Sequence, residues 1–169
     1  MAKKQTEDTK EIEKDTQQAP KVQFGIERIY LKDLSLESPL GAAAFSKAWK
    51  PRVNLDINSS QSKLDEDLYE VVLKLTVTTK DDDSDETLYL VEIHQAGSFR
   101  ARGLAGQELQ QVLATVAPAT LFPYARETVD SIVNKANFPP LRLAPINFDL
   151  LFAQAIQKHK EGAESETVQ

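Results

Sequence analysis

The sequence predicts an α+β domain: a four-stranded antiparallel sheet, a long helix packed on one face and a short C-terminal helix. Three observations carry this. Residues 22–95 alternate apolar and polar side chains in runs bounded by turn residues. From Leu109 onward the apolar spacing becomes helical. Strands come first and helices after, so a strand–helix–strand layout does not fit.

The first strand spans residues 22–37. Val22, Phe24, Ile26, Tyr30, Leu34 and Leu36 share one parity; Gln23, Glu27, Asp33, Ser35 and Glu37 share the other. Arg28, Ile29 and Leu31 break the alternation. They predict either a bulge within residues 28–32 or cover over part of the second face. Residues 38–51 form a long connection bounded by prolines, with one helical turn over 42–47. It carries Phe45 and Trp49, and aromatics in a loop either pin it to a core or line a site.

Residues 52–58 are the second strand and 59–67 a polar link. Residues 68–80 are the cleanest strand, with Tyr69, Val71, Leu73, Leu75 and Val77 inward. DDDSDE at 81–86 is an acidic turn, and residues 87–95 return as its hairpin partner. Leu88 and Leu90 share that strand with Tyr89, Val91 and Ile93, so both of its faces are partly apolar; this predicts a partner on the second face. Residues 96–106 read as a glycine-rich corner.

Leu109, Val112, Leu113 and Val116 begin a helix that Pro118 and Pro123 interrupt or re-cap. Phe122, Ala125, Val129, Ile132, Val133 and Ala136 continue the stripe. Pro139, Pro140 and Pro145 stiffen a connector. A last helix starts at Asn147 or Asp149, carries Phe148, Leu151, Phe152, Ala155 and Ile156 on one face, and ends near Lys158, His159 and Lys160. The single domain therefore covers residues 22–160. Residues 1–21, a mixture of lysines and acids, read as a disordered N-terminal tail, and 161–169 as an acidic C-terminal tail.

Composition excludes several classes. A net charge of −6 disfavours nucleic acid and anionic membrane surfaces and favours basic partners. With no cysteine there is no disulfide, thiol nucleophile or thiolate metal site, which fits a reducing, cytoplasmic setting. No apolar run is long enough to span a bilayer, and the first twenty residues contain no secretory h-region.

Little in the chain suggests catalysis. His94 and His159 lack partners at metal-ligand spacing. The 81–86 acids lack the layout of an EF-hand loop. Gly97, Gly103 and Gly106 match neither phosphate-binding glycine motif. No catalytic residue, metal site or cofactor is assigned. What stands out is surplus apolar surface at Phe45, Trp49, Phe138, Phe148, Leu151 and Phe152. It reads either as monomer core or as a groove for apolar segments of another chain.

Four stretches together resemble the SecB family of bacterial protein-export chaperones: IERIYLKDLSLESP (26–39), YEVVLKLTVT (69–78), LFPYARE (121–127) and FPPLRLAPINFDLLF (138–152). The resemblance implies a homotetramer, built as a dimer of dimers, with the long helices between sheets. It implies ATP-independent binding of unfolded precursor proteins and their delivery to the SecA motor. The family's SecA-docking positions fall on Asp33, Glu37, Leu90 and Glu92. Positions facing the helix layer and subunit packing fall on Val91, Ile93 and Gln95. The client groove falls on Phe45, Trp49, Phe138, Leu141, Leu143, Phe148, Leu151 and Phe152. The chain departs from the pattern at residues 40–44, which lack a second proline, and at Arg100 and Arg102, where the family's corner is more apolar. Two rivals remain at this level. One is a small-ligand enzyme, which needs a closed pocket with perturbed acids. The other is an oligomeric adaptor, which would recognise one folded partner and not delay aggregation.

Overall fold

The computed structural model describes residues 22–46 and 48–166, with side chains described through residue 158. The expected N-terminal tail, residues 1–21, lies outside the described residues. Four strands, β1 (Gln23–Glu37), β2 (Pro51–Asp65), β3 (Leu68–Asp81) and β4 (Thr87–Arg102), form one sheet of order β1-β4-β3-β2 with every neighbouring pair antiparallel. Two helices follow, α1 (Gly106–Lys135) and α2 (Phe148–Glu166).

Because β1 pairs with β4, the link to β2 must cross the end of the sheet. It spans three strand spacings, about 14 Å. A 3-10 turn at Gly41–Phe45 lies on the way and buries Ala44. The crossing is tied down at the β3–β4 turn: the Asp82 N–H donates to the Lys50 carbonyl at 2.9 Å, and Lys50 pairs with Asp83 at 2.8 Å. The acidic turn is thus ion-paired to the base of the crossover, with Arg52 and Lys80 both on Asp85.

The broken alternation in β1 comes from two register shifts, Ile26/Arg28 and Leu31/Asp33. Between them Ile29 opposes Gly97 and Leu31 opposes Gln95; beyond them Leu34 opposes Ile93. Each shift moves side chains to the other face, which is why Ile29 and Leu31 leave the parity of Leu34 and Leu36.

Four element boundaries differ from expectation. β2 does not stop at residue 58 but pairs with β3 through Asp65, and the chain reverses at Glu66–Asp67 with Asp67 at φ 56°. As an edge strand, β2 takes its direction from the ladder to β3, so its polar outer half needs no apolar alternation. The glycine-rich corner is not a corner: residues 96–102 continue β4 between β1 and β3. Gly97 marks close approach, because a Cβ there would sit 2.9 Å from Leu121 Cδ2. Nor do Pro118 and Pro123 interrupt or re-cap a helix; α1 runs through both for 30 residues. Interior prolines cost about 3 kcal/mol each, and burial of Leu113, Ala117 and Leu121 against the sheet offsets that. At the end of the chain, α2 continues to Glu166, past the expected stop near Lys158–Lys160.

The core lies between the inner face of the sheet and α1. Val71, Leu73, Leu75, Val77, Val91 and Ile93 are fully buried there. On α1, Leu109, Leu113, Ala117, Leu121, Ala125, Val129 and Val133 are buried at an unbroken spacing of four. Each such step advances about 40° past a full turn, so the stripe winds around the helix. One end of α1 can therefore face the twisted sheet while its flank meets the connector and α2. Leu88 joins this core at a register shift between Thr79 and Lys80. It does not make the second face apolar, as its parity suggested.

Candidate binding surfaces

The end of α1 sets the first surface. Asn137 takes a left-handed conformation, φ 66°, which Asn tolerates better than most residues. The Phe138 N–H then donates to the Val133 carbonyl at 3.2 Å and the Asn137 N–H to the Asn134 carbonyl at 3.0 Å, a Schellman closure. This turns Phe138 inward, where it is buried beside Val133 in the core. Its ring lies 5.0 Å from Phe45, 6.0 Å from Trp49 and 4.8 Å from Tyr89, centroid to centroid. Phe138 is the floor; Phe45 and Trp49, 49% and 41% exposed, are an open aromatic rim.

From there the connector runs back along α1. Between them lies a groove of about 660 Å³ whose walls include Phe122, Asp130, Leu141, Arg142, Ile146 and Phe148. A smaller groove, about 330 Å³, opens between Ile57–Ser59 of edge strand β2, Ala114, and Leu151, Phe152 and Ala155 of α2. Phe148 borders both grooves and packs edge-on against Phe122, centroids 6.0 Å apart. The Leu150 N–H donates to Asn147 Oδ1 at 3.0 Å, so Asn147 serves the start of α2 as its spacing suggested.

Of the eight groove positions taken from the sequence, Phe45, Trp49 and Leu151 are exposed and Leu141 and Phe152 half-buried. Phe138, Leu143 and Phe148 are buried within the chain. Phe45, Trp49 and Phe138 meet in one aromatic cluster, Leu141 and Phe148 line the larger groove, and Phe148, Leu151 and Phe152 line the smaller. Sequence reading missed Arg126, Asp130 and Arg142 in the larger groove, because charges on a helix flank or a connector read as solvated.

The second surface is the outer face of the sheet, away from α1. Register pairs Glu37 with Leu90, Ser35 with Glu92 and Asp33 with His94. Directly opposed residues share a face, so Asp33, Glu37, Leu90 and Glu92 lie together on two adjacent strands. Lys74 pairs with Glu92 at 2.7 Å and His94 Nε2 approaches the same oxygen at 3.3 Å. Ligand atoms of Asp33, Glu92 and His94 lie within 4.8 Å of one another, the one such grouping among the described residues. With Lys74 already on Glu92, we read it as an ion-pair network. Val91, Ile93 and Gln95 face the other way, sealed under α1 of the same chain, where Gln95 Nε2 donates to the Tyr30 carbonyl at 2.9 Å. Arg100 pairs with Glu27 on β1.

Lys74 holds the Glu92 carboxyl below the usual carboxylate range, and His94 adds to it. A depressed carboxyl contributes stability above its unfolded pKa, near 4.5, and loses it as pH falls through the lower folded value. Wild type and Glu92→Gln should therefore differ in denaturation midpoint above the ordinary carboxylate value of 4.5 and converge as pH falls below it. Curves that stay parallel across that window would show that the pair does not act. Farther along the same face, Lys32 and then Tyr30 lower the Glu70 carboxyl, while the hydrogen bond to Glu70 pushes Tyr30 up to about 12.

An open aromatic rim and two grooves lie along α1, and an ion-paired patch lies on the opposite face of the sheet. Family comparison is specific. The profile of SecB, preprotein translocase subunit SecB, matches residues 16–159. The protein-export protein SecB of Cellvibrio japonicus is 52% identical over 147 residues, 87% of each chain. That of Marinobacter nauticus is 51% identical over 144 residues, 85% of this chain and 86% of the relative. In structure, the Mycobacterium tuberculosis SecB-like chaperone Rv1957, solved in complex with a ChAD peptide from the Rv1956 HigA1 antitoxin, superposes with a TM-score of 0.60 at 17% identity. That match covers 73% of this chain and 91% of the other. The chain belongs to the SecB family, a family of protein-export chaperones and not of enzymes. Among the described residues no helix is long and apolar enough to cross a membrane.

Proposed function

We infer that this chain is an ATP-independent holding chaperone. It keeps unfolded secretory precursors translocation-competent in the cytoplasm and delivers them to SecA, with no catalytic step of its own. The observation that carries the reading is the exposed Phe45–Trp49 rim on a buried Phe138, beside two grooves that meet at Phe148. Apolar side chains of an unfolded client would seat there; a folded client hides them. Each contact alone is weak, in the range of about millimolar to micromolar, but a long client that reaches a second site binds it intramolecularly.

The working particle is a homotetramer, a dimer of dimers. Val116 and Tyr124, both about half exposed on α1, leave that helix apolar surface for a second copy. Val91, Ile93 and Gln95 would support that packing through α1, since they lie beneath it. The acids Asp33, Glu37 and Glu92 around Leu90 form the SecA dock, a charged ring about a half-buried leucine. Four copies at −6 each would carry a charge of about −24, which draws basic segments and fades with salt.

Native mass measurement with and without an unfolded precursor reads subunit number and client together. Four subunits, and four with one bound chain, are expected; a monomer that ignores the precursor would sink the reading. Replacing Phe45 and Trp49 by serine should cost about 2–3 kcal/mol of stability for the pair, because both are already part-exposed. The same double variant should lose most of its ability to delay aggregation of an unfolded protein. Full holding activity in that variant would remove the rim from the mechanism.

A further inference from the structure

Strand β1 leaves two residues out of its ladder with β4. Glu27 has no partner between Ile26 and Arg28, and Lys32 has none between Leu31 and Asp33. Both are charged, and both meet an opposite charge on the sheet. Glu27 pairs with Arg100 on β4, and the Lys32 amine lies 2.8 Å from Glu70 Oε2 on β3. Glu70 takes a second bond, donated by the Tyr30 hydroxyl. Strand β4 lies between β1 and β3, so these side chains span two strand spacings, about 9.5 Å. They meet over Ala96, which stands opposite Tyr30, and Ser98, which stands opposite Glu70; both are small and buried. The Glu70 side chain is itself only 14% exposed. Two charge-assisted bonds on a largely covered carboxylate fix both donors.

The apolar pattern of β1 leaves a choice at the second break. Leu31 and Leu34 both turn to the inner face, opposite Gln95 and Ile93. Two residues of β1, Lys32 and Asp33, therefore share one position on β4, that of His94. The leucines keep their places whichever of the two is left out. Local charge favours leaving out Asp33. In the ladder its carboxylate comes within 4.8 Å of that of Glu92, and like charges on neighbouring strands repel. Lys32 in that position would bring an opposite charge to Glu92. The structure nevertheless keeps Asp33 in the ladder and leaves Lys32 out. Glu70 is the group that draws Lys32 away, toward β3.

We propose that Glu70 and Lys32 are positioning residues for the SecA dock. By taking Lys32 out of the ladder, Glu70 commits Asp33 to the place opposite His94 and beside Glu92, and Tyr30 completes the clamp. The proposal rests on the SecA reading of that face and deepens it. The dock is then assembled against its own repulsion, and a basic partner relieves that repulsion when it binds.

Charge alone and positioning predict opposite signs at Lys32. Removing a cation from an acidic dock should tighten a basic partner, whereas releasing Asp33 should weaken it. The test titrates SecA against the full-length assembled protein. Lys32→Met should weaken SecA binding about fivefold. Lys32→Arg should restore it to within about twofold of wild type, and Glu70→Gln should weaken it about threefold. Delay of aggregation of an unfolded protein should be unchanged in all three. In an Asp33→Asn background the Lys32→Met effect should shrink to within about twofold, because the group it positions is gone. Tighter or unchanged SecA binding in Lys32→Met would overturn the proposal. So would a full Lys32→Met penalty on top of Asp33→Asn. A penalty shared by SecA binding and delay of aggregation would overturn it too, by making the clamp a general structural contact. Asp33→Asn alone separates the two readings. If it leaves SecA affinity unchanged, the dock reading falls and takes this proposal with it. If it weakens SecA while Lys32→Met does not, only the positioning falls.

Discussion

Phe138→Ala is expected to destabilise the protein by about 3–5 kcal/mol, measured as a lower urea midpoint at unchanged slope. The side chain is 3% exposed and touches three aromatic rings at once. Its removal leaves a cavity that Tyr89 cannot fill, because Tyr89 is fixed in β4, and that Phe45 and Trp49 can fill only by folding inward. Collapse of the rim would also withdraw the surface offered to clients. The variant should therefore lose stability and holding together, whereas the Phe45 and Trp49 serine substitutions lose holding at a smaller cost in stability for each ring removed. A cost below about 1 kcal/mol would mean that the crossover and α1 are not joined through this ring. Asn137 is the local determinant: its left-handed turn is what aims Phe138 at the core.

The fold class and the order of elements were legible because period two and period 3.6 are separated along this chain. Even the bulges in β1 showed, as a parity break at Ile29 and Leu31. The misreadings share one cause. Gly97, Pro118, Pro123 and the polar run at 59–65 all signal a local break, and each was overruled by packing or ladder pairing that local chemistry does not encode. Gly97 is small because Leu121 needs its space. The prolines stay helical because α1 is pressed onto the sheet, and the serines of β2 extend because β3 pairs with them. The site was legible in the same uneven way. Phe45 and Trp49 stood out as aromatics in a loop. Asp33, Glu37, Leu90 and Glu92 came from family resemblance, and the register puts them on one face. Asp130 gave no signal, since only a fold can show that its oxygen is buried and unpartnered.

The second large effect is expected at Gly97, where valine should cost about 3 kcal/mol. A Cβ at this position would lie 2.9 Å from Leu121 Cδ2, 3.0 Å from Phe99 Cε2 and 3.1 Å from the Arg28 carbonyl oxygen. Two of these obstacles are side chains and one is backbone. Combining Gly97→Ala with Leu121→Val should recover part of the alanine variant's loss, since the Leu121 contact goes away. Recovery should be incomplete, because the Arg28 carbonyl stands at the first register shift of β1 and cannot be trimmed. A double-mutant cycle on denaturation midpoints reads this coupling. Full additivity would mean that α1 already has room to move off the sheet. The consequence reaches function through α1 itself, for Leu121 lies beside Phe122, which walls the larger groove. A residue that lifts α1 from β4 must push that wall toward Leu141 and Ile146. Gly97→Ala should then narrow the groove and weaken peptide binding even at temperatures where the variant remains folded, while the aromatic rim, anchored on Phe138 at the far end of α1, keeps its share of client affinity.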